Sequence, residues 1–246
     1  MTADAEPHGG PGRRRFVRAA LTGAVAVGAG LVAGWPTGTS SVTEGLNGPR
    51  PASPQSALRA LDEGNQRWRT LHERHPDETM AVRQTLVAGQ HPFAVILGCV
   101  DSRVPPELVF DQGLGDLLTV RSAGEVLDEA VLASIAYGVV ELGIPLVVVL
   151  GHQSCGAVAA AVGADEAGGQ LPGHLQYLVD QIRPAIDRTL TGAGRADAAI
   201  TANVGLVHAR LTAEPVLAER VAAGKLAVVG ARYELTSQRV HRVDSR

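Results

Sequence analysis

Only two cysteines occur among 246 residues, aromatic side chains make up 3% of the chain, and the formal net charge is just −3. Two cysteines are too few for a disulfide scaffold, so their positions tell more than their number. A near-neutral balance, without a basic stripe interleaved with aromatics, removes any electrostatic case for nucleic acid as a partner. No internal repeat and no second domain can be discerned. What is abundant is aliphatic: the chain is 45% hydrophobic and contains 29 glycines. That composition is typical of compact α/β proteins and far from that of disordered chains.

The N-terminus is of a different kind. Arg13-Arg14-Arg15-Phe16-Val17-Arg18 precedes Ala19 to Gly34, a run of Ala, Leu, Val and Gly broken only by Thr22. A basic cluster before a moderately apolar stretch is a signal-peptide pattern, and the paired arginines followed by Phe16 and Val17 look like a twin-arginine export signal. The stretch is shorter than the roughly 20 residues that cross a bilayer. Residues 1–34 are therefore expected to be an export signal, or a membrane anchor if uncleaved. The expected partner is the twin-arginine export machinery, and the expected location is extracytoplasmic: periplasmic, cell-wall or secreted. Loss of 1–34 removes four arginines against Asp4 and Glu6, taking the net charge from −3 to −5. Residues 35–52, rich in Pro, Gly, Ser and Thr, read as a linker. Residues 53–246 remain as a single domain.

Within that domain, a capping Ser53 opens a helical pattern with Leu58, Leu61, Trp68 and Leu71, and a second short helix is expected over Met80–Ala88. Short apolar runs at 93–97, 117–120, 146–150 and 226–229 read as strands. Helical spacing is seen at 127–142, 154–163, 174–190 and 200–222. Apolar strands alternating with helices predict one α/β domain with a mostly parallel central sheet flanked by helices. Ligands of such sheets bind beyond the carboxyl ends of the strands.

Both cysteines stand there. Cys99 follows the first strand in Cys99-Val100-Asp101-Ser102-Arg103, and Cys155 follows the third in His152-Gln153-Ser154-Cys155. Two thiols, an imidazole and a carboxylate are the donor set of a tetrahedral zinc site, and an exchangeable fourth position marks a catalytic one. Asp101 is placed either to ligate the metal or to hydrogen-bond a water on it, and Arg103 to pair with Asp101 and keep it ionised. Three plainer readings compete. The cysteines could be ordinary buried thiols or the single disulfide of an exported protein, and Asp101–Arg103 could be a structural ion pair.

Cys-x-Asp-x-Arg followed some fifty residues later by His-x-x-Cys resembles the β-class carbonic anhydrases. The resemblance runs from about Ser53 to about Val240. It takes in Val104 to Asp111, Arg121-Ser122-Ala123-Gly124 and the late segment Gly224 to Tyr233. It implies one zinc per chain held by Cys99, His152 and Cys155, with Asp101 and Arg103 as the catalytic dyad and Asp101 as a possible fourth ligand in a closed state. Gln90 matches a substrate-binding glutamine, and Gly156 suits the approach of a helix N-terminus to the metal and substrate.

The activity implied is reversible hydration of CO2 to bicarbonate and a proton, through zinc-bound hydroxide. Two thiolates should make that water less acidic than three histidines would, and turnover more dependent on alkaline pH. The alternatives are a related zinc hydrolase acting on carbon disulfide or carbonyl sulfide, or a non-catalytic exported zinc-binding protein. Relatives are homodimers or higher homo-oligomers in which the N-terminal helix wraps a neighbour and the site lies at the interface. The helix from Ser53 to Leu71 is suited to that, and equally to covering its own core. Glu125 departs from the family, standing where a common pattern has Asn.

Overall fold

Strands β1 (Ala94–Cys99) and β3 (Leu146–His152) are buried along their whole length, and each alternates its side chains between two apolar layers. The computed structural model describes residues 50–243. The export signal at 1–34 and residues 35–49 of the linker lie outside the described residues. Side chains of a strand point to opposite faces in turn. Val95, Leu97, Val147 and Val149 therefore face one layer, and Ala94, Ile96, Leu146, Val148 and Leu150 the other. Covering both faces of a parallel sheet removes the need for polar residues anywhere along these strands.

The sheet has five strands in the order β2-β1-β3-β4-β5, with β2 at Leu117–Ser122, β4 at Ala227–Tyr233 and β5 at Val240–Arg242. The first four are parallel. β5 pairs antiparallel with β4, which makes the sheet mostly parallel, as expected. The short β5 was not visible in the sequence, because three residues carry no periodicity.

One face is covered by α4 (Glu129–Val140), α7 (Gly192–Ala213) and α8 (Pro215–Ala222). The other is covered by α1 (Pro54–Arg69), which starts at Ser53 with a capping box closed by Ser56. Ala57 and Leu61 bury the inner face of α1 against Ile96 and Val109, and the Trp68 indole donates to the Tyr233 hydroxyl at 3.0 Å. Within one chain, α1 thus covers its own core.

Several sequence-based boundaries move. β1 and β3 extend two residues further than their apolar runs, so Cys99 and His152 are the last strand residues rather than loop residues. α2 is shorter than expected, Met80–Leu86, and α3 is a single turn over Pro106–Val109. α5 runs Gly156–Ala167. α6 stops at Ile182, because Pro184 allows only a 3-10 turn beyond it. The helix expected over 200–222 is two helices, broken at Glu214–Pro215.

Candidate metal centre

Cys99 ends central strand β1, and His152 ends its neighbour β3. Strand pairing alone therefore brings the two motifs to the same edge of the sheet. The turn after β3 does the rest: Ser154 takes a left-handed φ of 56°, which folds Cys155 back beneath His152 before α5 begins. Backbone in that region is costly for a residue with a Cβ and clusters at functional sites.

One donor atom each from Cys99, His152 and Cys155 lie within 4.8 Å of one another, and all three residues are buried. The two sulfurs stand 3.9 Å apart. Zinc–sulfur bonds of about 2.3 Å at a tetrahedral angle separate two sulfurs by about 3.8 Å, so the spacing fits a shared zinc. It is about twice the bond length of a disulfide. That excludes the disulfide reading, and the thiols are free.

The imidazole supplies a second, independent fit. His152 Nδ1 is 2.9 Å from the Gln153 carbonyl, which can only accept, so Nδ1 carries the proton. Nε2 is then a bare lone pair, fully buried and without a hydrogen-bond partner. Orphaned buried nitrogens are rare in proteins, and a metal ion is what resolves this one.

Without metal, the two sulfurs share a proton. The hydrogen bond from Cys155 holds the Cys99 thiol down, helped by main-chain N–H groups such as that of Gly124, while the same contact and burial push Cys155 up. A thiolate beside a thiol is half-prepared for a cation, and metal binding releases the remaining proton.

Asp101 closes the cluster on its open side, with Oδ2 3.8 Å from His152 Nε2. Arg103 grips the carboxylate with both arms, Nε to Oδ1 at 2.9 Å and Nη2 to Oδ2 at 2.7 Å, and adds its backbone N–H. These bonds hold the Asp101 carboxyl well below the usual carboxylate range. Arg103 Nη2 also reaches the Ser154 carbonyl at 3.3 Å, tying the two motifs together. The loop itself is clamped by Arg121 of β2, which donates to the carbonyls of Cys99 and Asp101 at 2.7 Å each.

Beside Cys99 and Asp101 opens a cavity of 360 Å³ lined by Gly156, Leu175, Leu178 and Val179. An added Cβ at Gly156 would meet nothing within 4 Å, so no clash inside the chain requires glycine there. Gln90 is placed elsewhere. It is exposed and precedes β1, whereas Cys99 ends it. Between them β1 runs for five strand steps of about 3.3 Å, about 16 Å in all. Sequence reasoning missed the groups behind the metal ligands: Asn203 on α7 and the Gly124 N–H. Nothing in the local pattern marks a lone helical asparagine, although the departure at Glu125 pointed to that turn.

Residues 94–240 match the family model described as carbonic anhydrase. Carbonic anhydrase 2 of Mycobacterium tuberculosis is 44% identical over 192 residues, covering 76% of this chain and 91% of that protein. Among solved structures, the β-carbonic anhydrase CafA of Aspergillus fumigatus superposes with a TM-score of 0.62 at 26% identity, covering 78% of this chain and 91% of that one. A tetrameric β-carbonic anhydrase of Sordaria macrospora shares the fold with a TM-score of 0.60 at 24% identity, covering 65% and 85% of the two chains.

Proposed function

This chain belongs to the β-class carbonic anhydrases, zinc enzymes of CO2 hydration, and from that premise we propose how its own residues divide the work. Zinc fits the site, held by Cys99 Sγ, His152 Nε2 and Cys155 Sγ, and when bound it supplies a Lewis acid that brings the acidity of water toward neutral pH. The observation that carries the reading is the buried, unpartnered His152 Nε2 within 4.8 Å of both sulfurs.

Asp101 is an acceptor only, because Arg103 keeps it ionised. It therefore orients a hydroxylic nucleophile by accepting a hydrogen bond from it, which leaves a lone pair free to face CO2. Arg103 holds Asp101 away from the metal. With that grip released, Asp101 would be free to serve as a fourth ligand and close the site. The apolar cavity beside Cys99 suits an uncharged, linear substrate and disfavours bulk water. Gly156 keeps the start of α5 free of a side chain where that cavity meets the ligands. A module for metal storage needs the ligands but has no use for the Asp101–Arg103 pair.

Gln90 cannot serve the metal centre of its own chain across the length of β1. In this reading it serves a second copy in a homodimer or higher oligomer, in keeping with the tetrameric relative. Residues 1–34 export the enzyme; fractionation of cells carrying Arg13→Lys, Arg14→Lys and Arg15→Lys together tests that, with retention in the cytoplasm expected. The main test is metal analysis joined to stopped-flow CO2 hydration. One zinc per chain, two free thiols and chelator-sensitive turnover are expected. Full zinc occupancy in a Cys99→Ser, Cys155→Ser variant overturns the assignment.

A further inference from the structure

The Cys99 sulfur receives main-chain hydrogen bonds from two residues, from Asp101 two positions on in its own loop and, across 25 residues, from the Gly124 N–H at 3.4 Å. That N–H is aimed by an unusual turn. Gly124 and Glu125 follow one another in left-handed conformation, at φ 66° and 53°, directly after β2. At the next peptide, Asn203 of α7 reaches across 79 residues and donates Nδ2 to the Gly124 carbonyl at 2.8 Å. Asn203 is 1% exposed, and its amide also hydrogen-bonds the Glu125 carboxyl. Ile182 packs so close to the turn that a Cβ on Gly124 would lie 2.9 Å from its side chain. Cys155 needs no such help: its backbone donor, Val158, belongs to the first turn of its own helix.

We propose that Asn203 is a positioning residue of the metal centre: by anchoring the carbonyl of Gly124 it fixes that residue's backbone, aims its N–H at Cys99 and sets how strongly that sulfur binds the metal. This rests on the reading of Cys99 as a zinc ligand. An N–H bonded to the sulfur fixes its direction and favours the thiolate that binds metal, while drawing off some of its charge and leaving the metal more electrophilic. Partners of ligands in other metal sites matter to a similar degree, and losing one typically costs about 10- to 100-fold in metal affinity or activity.

The test uses the full-length protein loaded with 113Cd in place of zinc. In the wild type, the Gly124 amide proton should show scalar coupling to cadmium through the Cys99 sulfur. In Asn203→Leu that coupling should vanish. Zinc affinity by chelator competition should fall about tenfold, and the pH midpoint of turnover should move upward. A second measurement needs no variant. Coupling between the sites is reciprocal, so removing the metal should speed hydrogen exchange of the Asn203 side-chain amide. No cadmium coupling in the wild type, zinc affinity within twofold of wild type in a folded Asn203→Leu, or metal-independent amide exchange each overturns the proposal. Failure of the underlying reading looks different: the wild type itself would then lack bound zinc or zinc-dependent CO2 hydration.

Discussion

Strand β2 carries a buried acid just before it starts and another shortly after it ends, and the two ends treat the same chemical group differently. Burial pushes Asp116 up to about 6, against a Gly113 N–H at 2.8 Å and the Arg50 guanidinium at 3.1 Å that favour its charge. At the metal end, burial and the negative charge of Cys99 push Glu125 well above the carboxylate range, with only Asn203 to oppose them. One oxygen of Glu125 has no partner at all. An acid facing a cation can ionise near neutral pH, whereas an acid facing thiolates keeps its proton. Left-handed backbone occurs at both ends, at Asp77 and Gly115 as at Gly124 and Glu125, and so do orphaned polar atoms, on Arg50 as on His152, so what sets the metal end apart is the negative charge that its acid faces.

The largest effect should come from removing those ligands. Cys99→Ser or His152→Ala should abolish zinc binding, read as metal content per chain, and with it CO2 hydration. Cys99→Ser also takes away an anion that faces Glu125, while the Asp116 corner stays as it was. Asp101→Asn should keep one zinc per chain and lose about 100-fold or more in kcat by stopped flow, since it loses the acceptor but not the ligand set.

The third test addresses the other end of β2. A raised acid holds its proton more tightly folded than unfolded. Its contribution to stability is therefore complete below the unfolded value of 3.8 and is lost as pH rises through about 6. The Asp116 contribution should decline by up to about 3 kcal/mol over that range, read as the difference between the pH curves of wild type and Asp116→Asn in chemical denaturation. The smallest effect belongs to Glu125→Gln. If the carboxyl is already uncharged, an amide of the same shape should change stability by less than about 1 kcal/mol at pH 7. A loss of several kcal/mol would show that Glu125 is charged in the fold and that the contrast between the two ends of β2 is false.

Much of this was legible residue by residue. The aliphatic runs at β1 and β3 marked the central strands, because a strand covered on both faces must be apolar at every position. Cys99 and His152 lay beyond those runs in sequence yet belong to the strands, since hydrogen bonding along a strand does not stop where apolarity does. Trp68 was consistent with either of two roles, and its bond to Tyr233 places it on its own core. β5 and the break at Pro215 depended on pairing and on a single proline, neither of which shows up as periodicity.

By itself, the order of residues determined the chemistry: two thiols, an imidazole and an ionised Asp–Arg pair within short motifs, each set by local spacing. Only the tertiary structure decided that the two sulfurs meet at 3.9 Å and that His152 Nε2 is left for a metal. It also decided that Gln90 lies at the far edge of the sheet and that Asn203 stands behind Cys99. Local motifs specify donor types because they depend on neighbours in the chain. Distances among groups 50 to 80 residues apart are settled by how buried strands and helices pack, which no short stretch of sequence contains.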